Sequence, residues 1–190
     1  MIAIMSQFSA FVCVFVYASF FEWTLHRYLM HTPIWRYPFR AHALVHHGLF
    51  RTGNQYFLSD LKVIKKVRFA WWNAPFIIIL HVPAILWLEK TAELKIAAGA
   101  LIALVVYYLL YEVLHYCMHI PKGRRLENTA WFRWLDSHHH MHHKRHFYNL
   151  NVVFPLADMV FGTFIPAAEH LPVPDRETGV RQVRLLLAEL

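Results

Sequence analysis

Charged residues are scarce in this chain. They make up 16% of its 190 residues, against about 25% in an ordinary soluble domain. Hydrophobic residues account for 57%, and the mean hydropathy is positive. That balance argues against a soluble globule and for an integral membrane protein. Cysteine is nearly absent. Cys13 and Cys117 both lie in apolar stretches without the spacing of a zinc or iron–sulfur site, so a disulfide framework is excluded and both read as small buried hydrophobes. Lys and Arg are missing from residues 1–25, where Glu22 is the one charge. The basic segment and small-residue cleavage site of a signal peptide are missing there too. This run is long enough to cross ~30 Å of hydrocarbon as a helix, and it reads as a span over residues 2–25.

The rest of the chain is organised by apolar runs. Thr32-Pro33 is expected to end the first helix, because proline disfavours helical geometry in the residue before it. Residues 27–68 are polar, aromatic and basic. A second span is expected over 69–88, bent at Pro75 and Pro83, followed by a polar turn over 89–95 and a third span over 96–118. Pro121-Lys-Gly marks a turn, and residues 126–143 read as an interfacial helix rich in Trp and His. Residues 151–165 are short for a span and suit a re-entrant or interfacial segment. The tail from Pro166 is polar and then amphipathic. The length allows one domain, taken as residues 1–190, all-α, with three to four spans.

A net charge of +7 raises nucleic acid as a partner. Its distribution excludes that reading, since the basic residues flank apolar segments and carry no nucleic-acid-binding motif. Of 19 Lys and Arg, all but Lys90 and Lys95 fall on one side of a three-span arrangement. The positive-inside rule makes that side cytoplasmic.

Histidine is abundant where charge is not: 15 residues, mostly in four tight clusters at the ends of apolar runs. They read His26/His31, His42/His46/His47, His115/His119 and His139/His142/His143. All four fall on the cytoplasmic side of the expected topology. Neutral imidazole is the commonest protein ligand for iron, copper, nickel and zinc. Four ligands satisfy a structural zinc, so ten histidines point to two metal ions beside the membrane. On a regular helix, residues three or four apart share a face. His115 with His119, His139 with His142 and His143, and His42 with His46 fit that rule, leaving His47 rotated toward a second ion. His26 and His31, five apart, diverge on a regular helix, so one of them is expected at the helix end. His81 and His170 are isolated and read as packing residues. Histidines near headgroups can also serve as amphipathic anchors, an account that must be invoked four times over to cover the set. Glu22 and Glu112 lie one turn before His26 and His115. They suit either acceptors for a ligand's free ring N–H or plain helix packing.

Three strings carry a resemblance: EWTLHRYLMH (22–31), YEVLHYCMH (111–119) and SHHHMHHKRHFYNLNVVFPLADMVFGT (137–163). Together, over roughly residues 20–165, they resemble the fatty acid hydroxylase/sterol desaturase superfamily of membrane di-iron oxygenases. The resemblance implies a helical membrane bundle capped by a cytosolic histidine-rich dimetal site. It also implies O2-dependent hydroxylation or desaturation of a lipid. The implied ligands are His26, His31, His46, His47, His115, His119, His139, His142 and His143. His42 stands apart, because the family's second motif is normally H-x-x-H-H and this chain has one residue more. His138, His140 and His146 fall outside the pattern. Asn149, Asn151 and Asp158 match positions near the family's site, where a supporting polar role is implied.

The expectation is therefore a di-iron monooxygenase that hydroxylates a lipid acyl chain with O2 as co-substrate, zinc being the substitute ion in isolated protein. Carotenoid ring hydroxylation and sterol or lipid desaturation are the neighbouring readings on the same centre. A membrane metal-binding or transport protein is the non-enzymatic one, and a lipid zinc hydrolase would need a general base that the clusters lack. The chain has no flavin, nicotinamide, iron–sulfur or fused haem motif, so a separate ferredoxin- or cytochrome-type donor is expected to supply electrons.

Overall fold

The computed structural model describes residues 2–188. All their regular structure is helical, with no strand among the described residues. Helix α1 (Ile2–Thr24) continues without a break into a π-helical turn over Leu25–Met30. Short pieces follow: α2 (Arg36–Phe39), a second π-helical turn over Arg40–His46, and α3 (His47–Leu49). Two 3₁₀ turns, Gly53–Tyr56 and Leu61–Lys66, lead to the long helices α4 (Asn73–Ala92) and α5 (Ala97–His119). After a 3₁₀ turn at Arg125–Asn128 come α6 (Ala130–Lys144), α7 (Leu156–Val160) and α8 (Arg176–Ala188).

Three helical segments are long and apolar enough to cross a membrane: Ile2–Met30, Asn73–Ala92 and Ala97–His119. Much of their apolar surface faces outward, including Phe8, Ile79, Leu86 and Trp87. Such surface is a liability in water and the normal lipid-facing side of a membrane bundle. The chain is an integral membrane protein on this ground. α1 lies along α5 so closely that a Cβ on Gly99 would sit 2.0 Å from the Gln7 carbonyl oxygen. The Gly99 amide donates to Gln7 Oε1 at 2.6 Å. Lower down, Phe15 meets Tyr107 edge to face at 5.0 Å. The turn between α4 and α5 is fixed by Glu89, whose carboxylate accepts from the Ile96 and Ala97 amides at 2.8 and 2.7 Å. These are the unpaired donors of a helix start.

The helix bounds refine the expected spans. The first span runs five residues past 25, because the π-helical turn carries it through His26. The second begins at Asn73, not 69, and continues to Ala92. Phe69 instead leaves the helix to stack on Tyr111, ring centroids 5.1 Å apart. Pro75 falls in the first helical turn, where no ladder bond is lost, and Pro83 alone is interior. Residues 151–165 form no span. The short α7 and its flanks pack on the C-terminal end of α1 instead, where Trp23 Nε1 donates to Thr163 Oγ1 at 2.8 Å and Ser19 Oγ to the Phe154 carbonyl at 2.5 Å.

Candidate metal centre

The two π-helical turns bring the histidines together. In a π turn the amide bonds to the carbonyl five residues back, which sets side chains i and i+5 one above the other. The His31 amide bonds to the His26 carbonyl at 3.0 Å, and the His47 amide to the His42 carbonyl. Each of these five-residue pairs therefore points the same way. α5 and α6 present His115/His119 and His139/His143 at ordinary four-residue spacing.

Ten buried histidines result, in two groups of five. Group one is His26, His31, His42, His47 and His142; group two is His46, His115, His119, His139 and His143. Within each group the candidate ligand atoms all lie within 4.8 Å of one another. The groups abut, with the His47 and His143 rings 4.3 Å apart. Two expectations about sharing are corrected here. His42 pairs with His47, not His46, because the turn between them is π and not α. His142 is separated from His139 and His143, since it faces group one from the same helix.

The rings are held from behind by backbone carbonyls. His26 Nδ1 donates to the Leu150 carbonyl, His115 to Val67 at 3.0 Å and His119 to Tyr56 at 2.8 Å. His142 donates to Tyr148 at 3.0 Å and His143 to Phe50 at 2.5 Å. A ring that donates from Nδ1 and is neutral leaves Nε2 as a bare lone pair. Burial first, and then neighbouring rings, hold His42, His47, His142 and His143 well below the usual histidine pKa. The same causes act on His46 and His139, and His31 is lowered to about 2.

These lone pairs face one another. His142 Nε2 is 3.2 Å from His31 Nε2 and 3.1 Å from His47 Nε2. His139 Nε2 lies 3.1 and 3.0 Å from the Nε2 atoms of His119 and His143. One proton on His139 cannot satisfy both. Buried Nε2 atoms of His46 and His115 have no partner at all among the described residues. Gathered lone pairs with too few protons repel, and a cation between them turns that repulsion into ligation. Two nitrogens about 2.1 Å from one ion and at a right angle stand about 3 Å apart. The observed edges match that spacing, so both groups could hold a metal ion.

The expected supporting residues do not act as acceptors for the rings of the two groups. Glu112 and His115 do stand in Glu-x-x-His spacing, yet Glu112 Oε1 accepts from the Phe69 amide and the Tyr108 hydroxyl, both at 3.2 Å. Glu22 accepts from the Tyr107 hydroxyl at 2.6 Å, the Val152 amide at 2.6 Å and Asn151 Nδ2 at 3.1 Å. Neither carboxylate meets a ligand ring; both tie helices to loops. Asp158 is buried and accepts from the Leu150 and Asn151 amides at 2.9 and 2.8 Å and from Thr163 Oγ1 at 2.7 Å. It thereby fixes the loop whose Leu150 carbonyl orients His26. Asn149 adopts a left-handed backbone, φ 52°, tolerable for asparagine. Its side chain donates to the His138 carbonyl at 3.2 Å and accepts from the Ile165 amide at 2.7 Å.

The remaining histidines lie outside both groups. His138 is buried beside Asp158 at 3.4 Å, His140 accepts from the Gly53 amide, and His170 contacts Ser137 Oγ and the Ile165 carbonyl. His81 pairs with Tyr17 Oη at 3.0 Å within the membrane helices. His146 is exposed, its ring 4.4 Å from that of His47.

A cavity of ≈ 810 Å³ opens between α1, α4 and α5 and reaches His26 and His42 of group one and His46 and His115 of group two. Its walls are mainly apolar, with Phe21, Leu25 and Leu29 from α1 and its π extension, Phe76, Ile77 and Leu80 from α4, and Leu104 from α5. A space of this kind suits a lipid chain better than a polar metabolite.

No curated protein and no solved structure matches the chain. The family model described as fatty acid hydroxylase matches residues 11–163, a stretch that holds every member of both histidine groups. The chain therefore belongs to the fatty acid hydroxylase/sterol desaturase superfamily, membrane oxidoreductases of hydroxylase and desaturase type that act on lipids.

Proposed function

We propose that this protein is a di-iron oxygenase that uses O2 to hydroxylate the acyl chain of a membrane lipid, with the ten clustered histidines as its iron ligands. One observation carries the reading: two abutting groups of five buried imidazoles, their free nitrogens converging, line the end of an apolar cavity among membrane helices. A pair of reduced irons supplies the capacity to activate O2 and oxidise an unactivated C–H bond. The chain's own residues hold the rings neutral and fixed through backbone carbonyls, keep water from the cavity with aliphatic and aromatic walls, and set one carbon of the substrate against His26, His42, His46 and His115. An all-imidazole set also suits copper, nickel and zinc, and zinc is expected to replace iron in protein isolated without added iron.

Residues 1–190 are read as one membrane-embedded domain with the histidines on the cytoplasmic side, where nearly all the Lys and Arg lie. Electrons come from a separate ferredoxin- or cytochrome-type donor. The exposed Arg51, Lys62, Lys144 and Arg145 give it a basic face on which to dock, since complementary charge steers association. Metal transport is less well supported, because Glu22 and Glu112 within the spans are engaged in packing contacts and mark no path.

The test is lipid mass spectrometry on cells expressing the protein under heavy-labelled O2, beside a His142→Ala/His143→Ala variant that removes one ring from each group. A lipid bearing the label with the intact protein alone, and about two irons per chain in the purified protein, is the expected result. A histidine-dependent double bond without label moves the reading to desaturation. Neither change, with reductant supplied, removes the oxygenase reading.

A further inference from the structure

Three tyrosines of α5 line the cavity, and they differ in what their hydroxyls meet. Tyr107 donates to Glu22 and Tyr108 to Glu112. Tyr111, one turn nearer the histidines, is only 7% exposed, and its hydroxyl has no hydrogen-bond partner among the described residues. A buried hydroxyl without a partner is costly, and hydrocarbon offers none. The ring is also held still. Phe69 stacks on it with planes 13° apart, and the Phe69 amide is itself fixed by Glu112. The His115 ring of group two lies 5.6 Å away, centroid to centroid. An immobilised, unsatisfied donor thus stands in the wall of a mainly apolar cavity, beside the rings that close its end.

We propose that Tyr111 is a specificity-determining residue whose phenol donates a hydrogen bond to an oxygen already carried by the lipid substrate. A hydroxyl, ether or carbonyl oxygen would serve, and the carbons next to it would then lie against the histidines. A plain hydrocarbon segment leaves the donor unpaired; an oxygen-bearing one satisfies it. The orienting consequence rests on the lipid-oxidising reading above, whereas the binding preference is measured without it.

Metal-replete protein and its Tyr111→Phe variant, in phosphatidylcholine nanodiscs, are offered radiolabelled octadecane, 1-octadecanol and octadecyl methyl ether, and retention of each is counted. Comparing two proteins in one bilayer cancels the bilayer's own preference. The wild type is expected to retain the two oxygen-bearing probes about tenfold better than octadecane. The variant should hold all three at the octadecane level, with unchanged metal content and melting temperature. An unchanged ranking in the variant overturns the proposal, as does an equal loss of all three probes, which would make Tyr111 a wall residue only. Label incorporation from heavy O2 in the same nanodiscs, with reductant and a ferredoxin-type donor supplied, reports on the parent reading alone. A preference that depends on Tyr111 without incorporation keeps this inference and removes the oxygenase.

Discussion

The two histidine groups hold the same number of rings but are built by opposite means. Group two is assembled largely from regular structure: His115 with His119 on α5 and His139 with His143 on α6, each pair one α turn apart, and His46 as the fifth. Group one takes His26 with His31 and His42 with His47 from π-helical turns and adds His142 from α6. The ring spacing is similar in both, so a five-residue separation on a π turn serves as well as a four-residue separation on an α turn. The difference lies in how the backbone closes, and π turns are frequent at functional sites.

The sharpest way to break this comparison is to change the length of one turn in each group. Removing the exposed Leu44 converts H-x-x-x-H-H into H-x-x-H-H. An α turn can then replace the π turn, with the first and last histidines still on one face. This deletion is expected to keep metal content and activity within about threefold of wild type. Inserting an alanine after Cys117 puts His115 and His119 five apart inside a regular helix and swings one of them about 100° off the shared face. That variant is expected to lose the group-two metal and all detectable activity. Metal analysis of the purified proteins reads both outcomes. Equal loss in the two would show that the π turn is no substitute for an α turn.

The same contrast explains how much of the site was legible in the sequence. His115 with His119 on α5 and His139 with His143 on α6 follow the α-helical rule, whereas His142, expected on the same face of α6, turns to group one. His31 does lie at the helix end, as expected, but the rule missed that it shares a face with His26, and it matched His42 with the wrong neighbour, because it assumes one hydrogen-bond pattern throughout. Two His-x4-His separations in one chain were the available signal. The supporting contacts were less accessible still. Glu22 and Glu112 drew attention by charge and spacing, yet the ring N–H groups go to carbonyls of Leu150, Val67, Tyr56, Tyr148 and Phe50. Every residue has a carbonyl, so sequence cannot mark these. The three spans were legible from length and apolarity. The second was displaced by four residues at its start because Phe69 serves the cavity wall and not the helix. The amphipathic tail was anticipated, but not that Arg176 of α8 would be drawn inward onto Asp136 and Glu127, buried beside the core that carries group two.

A smaller effect separates the groups by their supports. Asp158 holds the loop that supplies the Leu150 carbonyl to His26, a member of group one. The group-two carbonyls from Val67, Tyr56 and Phe50 come from elsewhere in the chain. Loss of such an outer partner commonly costs 10- to 100-fold in metal affinity. Asp158→Ala is therefore expected to weaken one of the two metal sites by about that factor and to leave the other unchanged. Two-step chelator titration would distinguish a single weakened site from a general loosening, which would shift both steps together.

The smallest expected difference concerns acid. In the metal-free protein the lowered histidines are neutral when folded and take up protons when unfolded below about pH 6.5. Stability is thus full above that pH and falls as pH drops, the direction set by His31, His42, His47 and His142 in group one and by His46, His139 and His143 in group two. With metal bound, protons compete for the same nitrogens, and the groups are not equally sheltered. The exposed His146 ring lies 5.6 Å from His31 and 4.4 Å from His47, so water reaches group one more readily. Lowering the pH of a His139→Ala protein, in which group two is crippled, should release its remaining metal roughly half a unit to one unit earlier than from a His47→Ala protein. Release at the same pH from both would mean that the groups share one proton-linked opening, and that their different backbones carry no difference in access.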